Sequence, residues 1–176
     1  MTTTADVRAA GSAHIRIDMQ QNYFELFQLP IQFELDENDL TARHRAVIAR
    51  VHPDQFAHKS AMEQRAALQW ATFANEAFDT LKSPIARAQY LLKLNAPDLA
   101  AEGARVNLPH EFLMQQMMWR EALEEGDTAG VLAEVTQAQT DNQVQLRQAC
   151  AEHDWAKLQV VLAQAQFIEN FIAQLK

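Results

Sequence analysis

The chain has 176 residues, of which 48% are hydrophobic, with only 4 glycines, 5 prolines and a formal net charge of −8. This composition predicts a packed core rather than disorder, arranged as one domain or two small ones. The acidic balance excludes nucleic acid as an expected partner, because phosphate binding requires basic excess. The single cysteine, Cys150, excludes an internal disulfide and a cysteine-ligated metal cluster.

No apolar run in the sequence reaches the length of a membrane span, so no membrane partner is expected. Residues 1–18 lack a signal-peptide core, and we interpret them as a disordered leader or an expression remnant. Met19 precedes the first patterned segment and could be the natural start. A reduced, cytoplasmic location is therefore expected.

Ala, Leu, Gln and Glu dominate the sequence, so we predict an all-α fold. A short helical turn is predicted at residues 23–27, followed by a helix that Asp36 caps and that ends at Val51. A long helix is predicted at residues 61–82, and Ser83-Pro84 starts a shorter one. The two longest of these helices present helical stripes that suit an antiparallel hairpin. The stripes are Leu40, His44, Val47, Ile48 and Val51 on one helix, and Ala67, Ala71, Ala74, Phe78 and Leu81 on the other.

His52-Pro53-Asp54 follows the first helix of this hairpin, and proline cannot continue a helix interior. His52 and Asp54 are therefore expected at an exposed corner, where binding and catalytic residues tend to lie. Arg43 and Arg50 are seven residues apart, so they project from the same side of that helix and form a basic face beside the corner. Such a face is expected to steer a partner with an acidic surface.

The second half of the chain is more acidic than the first. Residues 94–176 hold 12 acidic and 5 basic residues, against 9 and 8 in residues 20–93. This asymmetry predicts two modules with different partners. Residues 95–108 are interpreted as a linker because they hold Pro97 and Gly103. Helices at residues 109–125, 128–151 and 154–175 are then joined by short turns, which predicts an antiparallel three-helix bundle over 109–176.

The first bundle helix carries more apolar surface than one core face requires. Its core stripe is predicted as Phe112, Gln116, Trp119 and Leu123. The other apolar residues lie on a different side, with Glu121 and Glu125 further along: Leu113, Met114, Met117 and Met118. In the last helix, Phe167 and Phe171 are predicted to point away from the inner stripe. Methionines and phenylalanines rimmed by acids indicate a binding surface.

The order of these segments resembles a J-domain followed by a helical bundle. The resemblance rests on His52-Pro53-Asp54 in its hairpin and on residues 75–81 (NEAFDTL). Residues 23–27 (YFELF), 87–94 (RAQYLLKL) and 111–114 (EFLM) are more particular, and they are similar to the HscB family. These proteins are J-type co-chaperones of iron–sulfur cluster assembly. The resemblance covers residues 19–176 and implies a J-domain over 19–94.

The resemblance implies two partners and no cofactor. The J-domain would stimulate the ATPase of HscA, a DnaK-type chaperone, and the bundle would deliver IscU, the cluster scaffold. The expected chaperone-binding residues are His52, Pro53, Asp54, Arg43, Arg50, Gln55 and Lys59. The expected client-binding residues are Leu113, Met114, Met117, Met118, Glu121, Glu125 and Phe167. Met118 departs from the family pattern, in which an acid is expected.

The protein is expected to be a monomer and not itself an enzyme. One alternative is a general J-domain co-chaperone with a different chaperone or client. An enzyme using His52 and Asp54 as acid and base is disfavoured, because no Ser or Cys nucleophile and no phosphate-cradling glycines stand nearby. A structural adaptor is a third interpretation. A metal site built from His44, His52 and His58 matches no familiar spacing, and His44 is expected at the edge of the core.

Overall fold

The computed structural model describes residues 21–101 and 106–175, and every regular element in these ranges is a helix. The chain divides into two compact units, Met1–Pro84 and Ile85–Lys176, which are described separately below. The predicted leader and the candidate start Met19 lie outside the described residues. Among the helices of the described ranges, none combines the length and the apolar character needed to cross a membrane.

The first unit contains α1 (Tyr23–Leu26), α2 (Glu37–Val51), a short 3₁₀ helix (Pro53–Phe56) and α3 (Ala61–Lys82). Helices α2 and α3 pack against each other as the predicted hairpin, and α1 packs on α3. The segment between the two predicted helices is thus partly helical. It also buries Phe56, which fixes its position on the hairpin.

The predicted stripes form the interior of this hairpin. On α2, Leu40 and Val51 are buried. The other three members of the predicted stripe, His44, Val47 and Ile48, are half-buried. On α3 the buried face also includes Trp70 and Ala77, so it is wider than predicted. His44 stacks on Phe78 with ring centroids 4.2 Å apart, and its Nε2 lies 2.9 Å from Asn75 Oδ1. The expectation of a core-edge imidazole is therefore confirmed.

Side-chain caps fix the starts of α2 and α3, and Asp36 caps α2 as predicted. Asp36 Oδ1 accepts hydrogen bonds from the backbone N–H groups of Asn38 and Asp39, at 2.8 and 3.2 Å. Ser60 and Glu63 form a capping box at the start of α3. Each cap satisfies amides that have no partner within the helix, which fixes where the helix begins.

The second unit contains α4 (Pro84–Asn95), α5 (Pro97–Ala101), α6 (His110–Glu124), α7 (Thr128–Glu152) and α8 (Trp155–Gln174). The compact units divide at Pro84, ten residues before the predicted end of the J-domain at Leu94. The predicted linker also contains a helix, α5. Gln159 on α8 donates a hydrogen bond to the Leu99 carbonyl at 2.7 Å, which holds α5 against α8.

The three long helices of this unit match the predicted bundle within one residue at each end. The turns between them use positive φ angles, 93° at Gly126 and 56° at His153. The core cluster joins all three helices and consists of Trp119, Val131, Val135, Ile168 and Phe171. Asn142 is buried in the bundle, where its Nδ2 donates to the Val161 carbonyl at 3.0 Å and ties α7 to α8.

The prediction that Phe171 points away from the core is wrong. Phe171 is only 5% exposed, and its ring centroid lies 5.7 Å from that of Trp119. Helix α8 contributes to a core shared with both α6 and α7, so its buried face is wider than one helical stripe. Phe167 lies between the core and the solvent. It is half-buried, and its ring stacks on that of Phe171 with the centroids 5.6 Å apart.

Candidate functional site

The corner after α2 is built by the local chain. His52 leaves the helix with an extended ψ of 128°, and its Nδ1 accepts the backbone N–H of Asp54 at 3.3 Å. The Asp54 Oδ2 lies 3.5 Å from the same Nδ1. The side chains of His52 and Asp54 are 50% and 89% exposed. The corner therefore presents an imidazole and a carboxylate to solvent in a locally bonded arrangement.

Two glutamines hold the loop around this corner. Gln55 Nε2 donates to the Ala49 carbonyl in the last turn of α2, at 2.6 Å. Gln64 Nε2, from α3, donates to the Ala57 and Lys59 carbonyls at 3.2 and 3.1 Å. Gln55 was predicted as a partner contact, but its amide already bonds within the unit. Lys59 remains exposed beside the corner.

Arg43 and Arg50 line one cleft between α1 and α2, together with Phe27 and Val47. They therefore lie on the same side of α2, as their spacing predicts. Their surroundings differ. Arg43 donates from Nη1 to the carbonyls of Phe27 and Gln28 and from Nε to Asp39, so three of its five N–H groups bond within the unit. Arg50 is exposed.

Arg45 is a candidate contact that sequence reasoning missed. It is exposed on α2, as are Ala42, Ala46 and Ala49, and it lies on the other side of these alanines from Arg50. A full helical projection places it outside the buried stripe, and this signal was available from the sequence. The exposed surface of α2 is thus a strip of small residues between two guanidinium groups.

The apolar patch of α6, defined as Leu113, Met114, Met117 and Met118, is open to solvent. Met117 and Met118 are 61% and 58% exposed, and the other two members exceed 40%. Glu121 and Glu125 are exposed further along, as predicted. The opposite side of α6 is held in the core by Gln116 and Trp119. Four exposed apolar side chains within two turns of one helix form a surface suited to a protein partner.

Phe167 adjoins the α6 side of the bundle core. Its ring packs edge-on against Phe112 at 5.7 Å, and the guanidinium of Arg120 lies 5.9 Å from its centroid. Arg120 and Glu134 had not been singled out in the sequence. Glu134, on α7, accepts hydrogen bonds from two α6 side chains, Trp119 and Gln115. The contact of Arg120 with Phe167 and the hydrogen bonds of Glu134 each join two different helices, so helical spacing alone does not reveal them.

Across residues 21–101 and 106–175, no group of three or more His, Cys, Asp or Glu side chains could hold a metal ion. The Cys150 side chain is buried. The pKa of Glu63 is lowered because the Ser60 hydroxyl and backbone N–H donate to its carboxylate.

Comparison with known proteins identifies relatives for both halves of the chain. A family model described as the HSCB C-terminal oligomerisation domain matches residues 108–176. A co-chaperone protein HscB homolog of Azoarcus sp. (strain BH72) is 48% identical over 121 residues, covering 69% of this chain and 68% of the relative. The Burkholderia thailandensis homolog is 48% identical over 119 residues, covering 68% and 67%.

Solved structures show the same similarity. Chaperone HscB from Vibrio cholerae is 37% identical, with a TM-score of 0.73 over 88% of this chain and 95% of that chain. Human co-chaperone protein HscB superimposes with a TM-score of 0.81 over 96% and 92%, at 23% identity. The human protein supports the fold alone, whereas the Vibrio protein is similar in both sequence and fold.

Proposed function

The chain belongs to the HscB family of co-chaperones, and we propose that it serves iron–sulfur cluster biogenesis by joining two proteins. One is an HscA-like, DnaK-type chaperone whose ATPase it stimulates. The other is an IscU-like scaffold on which the cluster is assembled and which the chain delivers to that chaperone. In this proposal the chain acts in the cytoplasm, as a monomer, and performs no chemical reaction itself.

The exposed corner supports the chaperone half of the proposal. His52 and Asp54 offer a donor-capable imidazole and a carboxylate on a loop that Gln55 and Gln64 bond in place. A loop that is already ordered loses little conformational freedom on binding. Arg50 and Lys59 are exposed near it and would attract an acidic surface. We assign Arg43 a structural part in the same surface, because its donors bond to α1 and Asp39.

The apolar patch supports the client half. Leu113, Met114, Met117 and Met118 are exposed although the core of the bundle is complete without them. Flexible methionines adapt to a partner surface, and Glu121 and Glu125 add carboxylates to the rim. Phe167 would contribute through the part of its ring that the core leaves open. Met118 stands where the family resemblance led us to expect an acid, which makes this surface more apolar.

The observation that carries the proposal is that one chain holds two exposed surfaces of different chemistry. The first unit presents a polar corner with basic neighbours, and the second presents an apolar patch with acidic neighbours. A chain that only activated a chaperone would have no use for the second surface. A protein that bound only a scaffold would not need the first.

A steady-state ATPase assay with purified HscA-like chaperone and IscU-like scaffold tests the proposal. We expect the full chain to accelerate ATP hydrolysis and Asp54→Ala to lose this effect. Asp141→Ala is the matched control, because Asp141 is an exposed acid on α7. If Asp54→Ala stimulated as well as wild type, the proposal would be wrong. Stimulation of another DnaK-type chaperone but not of the HscA-like protein would favour the general co-chaperone.

A further inference from the structure

We infer that Glu134, on α7, is a positioning residue for the client-binding surface of α6. Glu134 lies outside the apolar patch and outside every residue set that the family resemblance implies. The inference rests on the proposed function, in which the patch binds the scaffold. It concerns how α6 is oriented so that the patch faces outward.

One oxygen of Glu134 bridges two positions of α6. The indole Nε1–H of Trp119 donates to Glu134 Oε2 at 3.0 Å, and Gln115 Nε2–H donates to the same oxygen at 3.2 Å. Gln115 and Trp119 are four residues apart, which is about one helical turn. A bridge to two successive turns resists both rotation of α6 about its axis and sliding along it.

The bridge and the patch lie on opposite sides of α6. At roughly 100° per residue, the direction midway between Gln115 and Trp119 lies about 150° from the centre of the patch. A rotation of α6 that broke the bridge would therefore turn the methionines toward or away from α7 and α8. In the orientation that this bridge holds, Met117 and Met118 are 61% and 58% exposed.

The core cluster alone does not specify this orientation as strongly. Its contacts with α6 are apolar, and hydrophobic burial is not directional. Hydrogen bonds are directional, because they weaken steeply when donor and acceptor are misaligned. Trp119 is 2% exposed, so its indole N–H would be left without a partner at the core edge if Glu134 were removed. Loss of the bridge should therefore let α6 adopt other orientations.

Three variants separate the bridge from charge. Glu134→Ala removes the acceptor, whereas Glu134→Gln keeps an acceptor oxygen and loses only the charge. Asp141→Ala is the matched control, because Asp141 lies on the same helix and accepts from Gln137 of that helix rather than from α6. We expect Glu134→Ala to weaken scaffold binding about three- to tenfold, as is typical of residues that act without touching the ligand.

The experiment measures the affinity of the full-length chain for an IscU-like scaffold by calorimetry. It is paired with the ¹⁵N–¹H resonance of the Trp119 indole, which reports the hydrogen bond directly. We expect Glu134→Ala to shift this resonance and lower the affinity, while Glu134→Gln and Asp141→Ala stay close to wild type. Equal affinity of wild type and Glu134→Ala would overturn the positioning role. An equal loss in Glu134→Gln or Asp141→Ala would overturn it as well, by assigning the effect to charge.

A second variant keeps the test decisive if Glu134→Ala fails to fold. Gln115→Ala removes the half-buried donor of the bridge and leaves Trp119 and Glu134 in place. Reduced affinity of this variant supports the inference, and unchanged affinity contradicts it. If wild type itself did not bind the scaffold, the proposed client would be wrong. That result is distinct from a scaffold that binds wild type and Glu134→Ala equally.

Discussion

The backbone N–H of Asp54 donates to His52 Nδ1 at 3.3 Å, so the two exposed residues of the corner are bonded to each other. A neutral imidazole that accepts at Nδ1 carries its proton on Nε2. Nε2 forms no hydrogen bond with any residue that the structure describes, and the ring is half-exposed. The corner thus holds a free donor beside the Asp54 carboxylate, which a chaperone surface could meet together.

This arrangement predicts that His52→Asn and His52→Ala differ in stability but not in activity. An Asn side-chain oxygen can accept the Asp54 N–H, so His52→Asn should unfold at nearly the same urea concentration as wild type. His52→Ala should lose about 1 kcal/mol of unfolding free energy with the cap. Both variants lack Nε2 and should fail to stimulate the chaperone ATPase. Normal stimulation by His52→Asn would show that Nε2 makes no essential contact.

The basic residues of α2 should likewise affect either stability or chaperone binding, but not both. Arg43→Ala should lower the free energy of unfolding by about 1–2 kcal/mol, because its guanidinium bonds to two carbonyls and Asp39. Arg50→Glu and Arg45→Glu should leave stability unchanged and slow association with the chaperone. That effect should shrink as salt is raised, since exposed charges are screened. Stopped-flow association rates at two ionic strengths measure it, and salt-independent rates would contradict steering.

Much of this molecule follows from local pattern. The hairpin, the bundle and the exposed patch of α6 all come from helical spacing and from the turn residues between helices. The bonds of Arg43 to Phe27 and Gln28 could not be predicted, because they join residues 15 or 16 positions apart and depend on how α1 lies on α2. The bridge from Glu134 to Gln115 and Trp119 could not be predicted either, because it also joins residues far apart in the sequence. Phe171 was misplaced because one stripe was assumed for a helix that meets two neighbours.

Helix α5 is a different case, since its signal was present in the sequence. Pro97 at the first helical position and Asp98 in the first turn are typical of a helix start. The same proline was interpreted as a linker residue because it stood near Gly103. The sequence does not reveal that α5 packs on α8, a tertiary contact made by Gln159 and the Leu99 carbonyl.

The capping box of α3 predicts a pH-dependent contribution to stability. The Ser60 hydroxyl and N–H donate to the Glu63 carboxylate and lower its pKa below 4.5. A lowered native pKa means that the folded protein binds fewer protons, so the contribution is present above pH 4.5 and is lost as pH falls through the native value. Urea unfolding between pH 7 and 3 should show Glu63→Gln approaching wild type at low pH. Glu37→Gln, an exposed acid in the first turn of α2, is the control and should converge less.

Met117 provides the sharpest test of the client surface. Met117→Ala removes a side chain that is 61% exposed in the centre of the apolar patch, so stability should change by less than about 1 kcal/mol. Scaffold affinity should fall about five- to tenfold, because central apolar contacts carry much of the binding energy. Met62→Ala is the matched control: Met62 is 79% exposed, but it lies on α3 of the first unit. Calorimetric titration with the scaffold measures both variants, and an equal loss from Met62→Ala would place the client on a different surface.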